Sequence, residues 1–90
     1  MSLQNKDYTF ICSRIMHIAS QLREEIKIRY EFSLCGSQEQ SIMIDVYNLN
    51  VNHCKSFWIG NKAPETLIFE VFEYCIDNDL FRIPLTIKIK

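Results

Sequence analysis

The most reactive side chains in this chain belong to four cysteines, Cys12, Cys35, Cys54 and Cys75, and two histidines, His17 and His53. A thiolate beside an imidazole is a nucleophile, and mixed Cys and His sets hold zinc. Local spacing favours neither chemistry. Cys12 and His17 are five residues apart, which turns them about 140° from each other on a helix. His53 and Cys54 are neighbours and would point to opposite faces of a strand. No two cysteines stand within one tight turn, as a zinc knuckle needs. A nucleophilic Cys–His pair would have to assemble across the fold. The cysteines read instead as reduced thiols packed as small hydrophobes.

Other chemical signatures are missing from the sequence. It has no G-x-S-x-G and no glycine-rich phosphate loop, and its two glycines are Gly36 and Gly60. The Asn48-Leu49-Asn50-Val51-Asn52 run alternates oxygen donors but lacks the carboxylates that a calcium loop requires. The expectation is a chain without catalytic residues, metal or cofactor.

The elements that would position any site follow from apolar periodicity. From Leu3 to Glu24 apolar residues recur at helical spacing, with Tyr8, Ile11, Cys12, Ile15, Ile18, Ala19 and Leu22 on one face. Ser2 or Asn5 is the expected cap. The opposite face carries Phe10, Arg14, His17 and Gln21, and Phe10 is an aromatic out of place there. At Glu25 the period changes to two. Ile26, Ile28, Tyr30, Phe32 and Leu34 alternate with charged or polar residues, the mark of a strand with one buried face.

A polar stretch from Cys35 to Gln40 reads as a hairpin loop, followed by a strand over Ser41 to Leu49. Asn48, Asn50 and Asn52 punctuate the next turn. A short third strand over Lys55 to Ile59 ends at Gly60-Asn61, and Pro64 with Glu65 opens a second helix reaching about Asn78. Ile83, Leu85, Ile87 and Ile89 alternate again as a fourth strand, with Pro84 at its start. The expected core joins Ile15, Ile18, Ile28, Tyr30, Phe32, Ile44, Val71, Phe72 and Cys75.

The fold class is therefore α+β, in the order α-β-β-β-α-β. An antiparallel sheet of three to four strands carries two helices packed on one face. Ninety residues, 48% of them hydrophobic, make a single domain over residues 1–90. The apolar runs are short and broken by charge, and residues 1–7 lack a signal-peptide block, so a cytoplasmic protein away from membranes is expected.

Ten basic and eleven acidic residues leave no global field to draw the chain onto nucleic acid. Charge is uneven, however. Residues 35–81 hold seven acids against Lys55 and Lys62, and the last nine residues carry Arg82, Lys88 and Lys90 with no acid. The α-β-β-β-α order is similar to that of double-stranded-RNA-binding domains, which present a lysine cluster where the second helix begins. Here Asn61-Lys62-Ala63-Pro64-Glu65 offers one lysine before an acidic helix, so nucleic acid is an alternative of order alone. The order is also similar to that of small acidic secretion chaperones, which bind client proteins as dimers.

The second helix is apolar round much of its circumference, with Glu70, Glu73 and Asp77 confined to one arc. Phe69 and Ile76 lie seven apart on its apolar part, a surplus that suits a partner or a second copy. The candidate partner-binding residues are Phe10, Arg14, His17, Trp58, Phe69, Glu70, Glu73, Ile76 and Asp77. They point to a non-catalytic protein-interaction or regulatory module, expected to form a homodimer. A small enzyme built on a cross-fold Cys–His pair is the remaining alternative.

Overall fold

A computed structural model describes residues 4–35 and 39–83, with side chains described outside 33–41. Five elements follow one another: α1 (Asn5–Ala19), β1 (Ile26–Cys35), β2 (Glu39–Asn48), β3 (His53–Trp58) and α2 (Pro64–Asp77). The strands form one antiparallel sheet in the order β1-β2-β3, and both helices lie on one of its faces. From Pro84 on, the expected fourth strand lies outside the described residues, and Ile83, its expected first residue, is 78% exposed in a bend. The first hairpin loop is shorter than the polar stretch from Cys35 to Gln40, because Cys35 ends β1 and Glu39 begins β2; residues 36–38 between them lie outside the described residues, as does Ser2.

The core is built on alternate residues of the central strand. Ile42, Ile44 and Val46 of β2 are buried, and Ile11, Ile15 and Ile18 of α1 and Leu67, Val71 and Cys75 of α2 close over them. Register places Ile28 opposite Val46 and Tyr30 opposite Ile44 on one side, with Phe57 opposite Ile44 on the other. Ile15, Ile18, Ile44, Val71 and Cys75 sit in the core as expected, while Ile28 and Phe72 are half-buried against its margin. Tyr30 and Phe32 differ: they are 37% and 42% exposed. They share the inward face of β1 but lie toward its far end, where the first turn of α1 offers only Tyr8, whose ring is 4.8 Å from that of Phe32.

α1 is shorter at both ends than its periodicity. Gln4, not Ser2 or Asn5, precedes it, and its backbone N–H donates to the Asp7 carboxylate at 2.9 Å. At the other end the ladder tightens, with Gln21 N–H donating to Ile18 and Leu22 N–H to Ala19. Leu22 then pairs with Phe81 in an isolated bridge, so tertiary pairing takes the residue the helix would have used. Ala19 is exposed and Cys12 half-buried, at the margins of the apolar stripe.

Turn chemistry fixes the connections. Asn48 Oδ1 accepts the Asn50 N–H at 3.1 Å, and Asn52 takes a left-handed φ of 53°, so the asparagine cluster makes the β2–β3 turn as read. Gly60 has a φ of 51° in the turn before α2, a conformation that costs glycine little. At the end of α2, Leu80 N–H donates to Cys75 and Asp79 N–H to Ile76, with Asp79 left-handed at 57°. This Schellman turn folds the chain back so that Leu80 and Phe81 enter the core. Arg23 holds the turn from across the fold, its guanidinium 2.7 Å from the Asp79 carboxylate.

Removing side chain at the centre of this packing should be costly. Ile44→Ala is expected to destabilise by about 2–5 kcal/mol, and Lys27→Ala, on the open face, by less than about 0.5 kcal/mol. Urea unfolding of both variants checks this, and equal effects would contradict the face assignment. A second expectation concerns alkali. Burial pushes the Cys75 thiol up to about 11 from an ordinary 9.0. The folded state therefore keeps a proton that the unfolded chain loses first. The contribution is complete below about pH 9 and is lost as pH rises through about 11. The stability gap between wild type and Cys75→Ala should shrink over that interval, and a constant gap would contradict the assignment.

Candidate functional site

α1 has two flanks with different neighbours. Tyr8 meets Phe32, and the Tyr30 hydroxyl hydrogen-bonds with Cys12, an interaction that holds the phenol above its ordinary pKa. Both partners belong to β1. Phe10 and Arg14 are each about 200° round the helix from one of these, on the flank toward α2. Phe10 is half-buried against the core instead of solvent-facing, and the Arg14 guanidinium stacks over its ring at 5.2 Å. His17 continues this flank, one ring nitrogen 3.2 Å from Gln21 Nε2. Cys12 and His17 thus serve opposite flanks.

α2 is divided in the same way. Tyr74 packs edge-on against Phe57 of β3 at 5.5 Å, and Phe72 meets Phe81 at 5.6 Å, beside the bridge to Leu22. Phe69 and Ile76 fall near the Phe72 flank, 59% and 40% exposed. Glu70 and Asp77 fall near the Tyr74 flank, with Glu73 between the flanks at the crest. The nine residues singled out in the sequence therefore belong to two surfaces. Phe10, Arg14, His17, Phe69 and Ile76 share the outer side of the helix pair. Glu70, Glu73 and Asp77 line a groove between α2 and β3, and Trp58 borders it from β3, its side chain on the face of the sheet opposite Phe57.

That groove has a volume of about 540 Å³, and its walls include Lys55 and Phe57 as well as the acidic row of α2. Lys62 Nζ is 2.7 Å from Glu70 Oε1, so this pair neutralises itself. Lys55 lies over the Phe57 ring at 5.7 Å. Glu73 and Asp77 are exposed and have no charged partner among the described residues. Of the basic residues weighed for nucleic acid, Lys55 and Lys62 stand among carboxylates in this groove, and Arg82 donates to the Ser20 carbonyl at 2.9 Å. Lys88 and Lys90 lie outside the described residues.

Sequence reasoning passed over two features. Lys55 and Tyr74 line the groove, and only pairing β3 with β2 and placing α2 above β3 reveals it. On the open face of the sheet, Asp45 is 4% exposed. Its Oδ1 accepts the Ser56 hydroxyl at 2.7 Å, and Oδ2 faces the Arg29 guanidinium at 3.4 Å. Arg29 also lies over the Tyr47 ring at 5.5 Å. The signal is the cross-strand row Arg29–Asp45–Ser56, visible once the register is known.

Cys12, Cys54 and Cys75 are free thiols, and among the described residues no group of three His, Cys, Asp or Glu side chains is placed to hold a metal ion. No helix among the described residues is long and apolar enough to cross a membrane. Compared with known proteins, the chain matches no family model, no curated protein and no solved structure.

The Asp45 row generates an expectation about stability. Ser56→Ala takes the shortest hydrogen bond from a buried carboxylate and should cost about 1.5–3 kcal/mol. Thermal or urea unfolding of Ser56→Ala checks it, and a loss below about 0.5 kcal/mol would mean that Arg29 alone suffices.

Proposed function

We propose that the protein is a non-catalytic protein-interaction module, a small cytoplasmic accessory or regulatory protein that also pairs with itself as a homodimer. The observation that carries this reading is the exposure of Phe69 and Ile76, 59% and 40%, on the flank of α2 nearest α1. Large apolar side chains grouped on one surface of a small domain mark a contact site. Phe10 and Arg14 border the same side, already stacked at 5.2 Å, and aromatic and arginine side chains dominate the energetics of protein interfaces.

The charges beside this patch favour a second copy. Arg14 is exposed on α1, and Glu65, also exposed, stands one turn before Phe69 on α2. A two-fold axis across the helix pair sets α1 of one copy against α2 of the other, bringing arginine to glutamate twice. The apolar residues of both copies meet between them. The dimer then buries a surface that one domain of this size lacks the mass to cover.

Sedimentation velocity at micromolar concentration tests this. Wild type should sediment as a dimer and Phe69→Glu as a monomer with an unchanged far-ultraviolet spectrum. Since Phe69 is exposed, its replacement should leave the fold intact. A wild type that remains monomeric would overturn the homodimer.

A further inference from the structure

β3 is the last strand of the sheet among the described residues, and the register shows which of its backbone groups face outward. Ile59 N–H donates to the Ile42 carbonyl at 3.1 Å, so these two residues form a hydrogen-bonded pair. In an antiparallel ladder such pairs alternate with non-bonded ones. Ile44↔Phe57, Val46↔Lys55 and their neighbours fix the sequence of pairs. Cys54, Ser56 and Trp58 therefore turn both N–H and C=O away from β2, and no backbone group among the described residues meets them. Six consecutive register pairs run without a bulge, and β3 contains no proline. Two devices that blunt a sheet edge are thus missing here.

The side chains around this edge define what fits it. An added strand alternates its side chains between the two faces of the sheet. On one face they would enter the groove beneath α2. There the Lys62–Glu70 pair cancels, and Lys55 against Glu73 and Asp77 leaves one net negative charge, from one positive and two negative groups. Lys55, at the mouth, opposes a purely apolar strand, the usual work of a lysine on an edge. On the other face they would lie beside Trp58, which is 51% exposed.

We propose that the free edge of β3 receives an extended segment of another polypeptide as an added strand. Lysine or arginine side chains of that segment enter the groove toward Glu73 and Asp77, and apolar ones lie beside Trp58. Main-chain hydrogen bonds to Cys54, Ser56 and Trp58 supply the attachment, and the carboxylates select the charge. This surface lies on the flank of α2 opposite Phe72, so it is separate from the dimer face and stands or falls independently of it.

Trp58 is the single tryptophan of the chain, so its emission reports on this edge alone. The probe is a blocked six-residue peptide alternating lysine and valine, titrated into the full chain. Its expected effects are a saturable change in Trp58 emission and slowed amide exchange at Cys54, Ser56 and Trp58. The glutamate–valine peptide should bind at least about ten-fold more weakly, a difference of about 1.4 kcal/mol. The fully N-methylated lysine–valine peptide should not bind. Glu73→Lys combined with Asp77→Lys, both exposed positions, should reverse the charge preference while keeping the wild-type circular dichroism. Equal binding of the N-methylated peptide would overturn strand addition, and equal binding of the glutamate peptide would overturn the charge selection. Absence of binding by any peptide would overturn the proposal. So would amides of Cys54, Ser56 and Trp58 that are already protected in the protein alone. Protection that persists on dilution would assign the edge to residues 84–90, and protection lost on dilution would assign it to a second copy.

Discussion

The packing of Ile42, Ile44 and Val46 beneath both helices is the constraint on which the rest of the structure depends. These three side chains come from the central strand, the only one flanked on both sides among the described residues. They bury one face of β2 because side chains alternate with a period of two, and a slip of one residue would turn all three to water. Register is therefore held by the hydrophobic effect more than by the ladder itself. Once held, it fixes events on faces the core never touches. It sets Arg29 and Ser56 on either side of Asp45, and it turns the backbone of Cys54, Ser56 and Trp58 outward.

Two helices over three strands leave each helix with unequal sides. α1 leans on β1 through Tyr8 and Cys12, and α2 leans on β3 through Tyr74. On the sides that face across the layer, Phe10, Ile68 and Phe72 are half-buried against the core. Phe69 and Ile76 point further from the core and remain in water. At the outer margin α2 overhangs β3, the last strand of the sheet among the described residues, and a groove results. Both surfaces arise because the two helices and three strands among the described residues do not cover every side of α2.

Periodicity made the fold legible in the sequence, because a period of two or 3.6 reports which face of an element is buried. The ten-residue alternation of β1, the asparagine turn and the Pro64 start of α2 are all where local chemistry placed them. Periodicity does not report how far along an element the cover extends. Tyr30 and Phe32 continue the alternating face of Ile26 and Ile28, yet they lie beyond the reach of most of α1. The candidate site was legible to the same degree. Phe69, Ile76 and the acidic row stood out by type and arc, but an arc does not say which neighbour lies on which side. Their division between two surfaces depended on α2 packing over β3, a contact between segments whose pairing no local pattern encodes. Asp45 was hidden for a similar reason: it reads as a polar residue on an open strand until Arg29 and Ser56 are brought beside it.

α2 borders both proposed contacts, and the physical character of its two flanks differs. The Phe69–Ile76 side is dominated by apolar surface, whose burial is driven by release of water and is little affected by moderate salt. The groove side combines backbone hydrogen bonds with carboxylates that act through solvent, and such forces weaken as ionic strength rises. Self-association and strand addition thus draw on different terms. A dimer formed across the helix layer leaves each β3 edge at the outer margin of its own sheet. The proposed pair would then present two separate edges for extended segments, and two segments of one partner held together would gain effective concentration without any new contact.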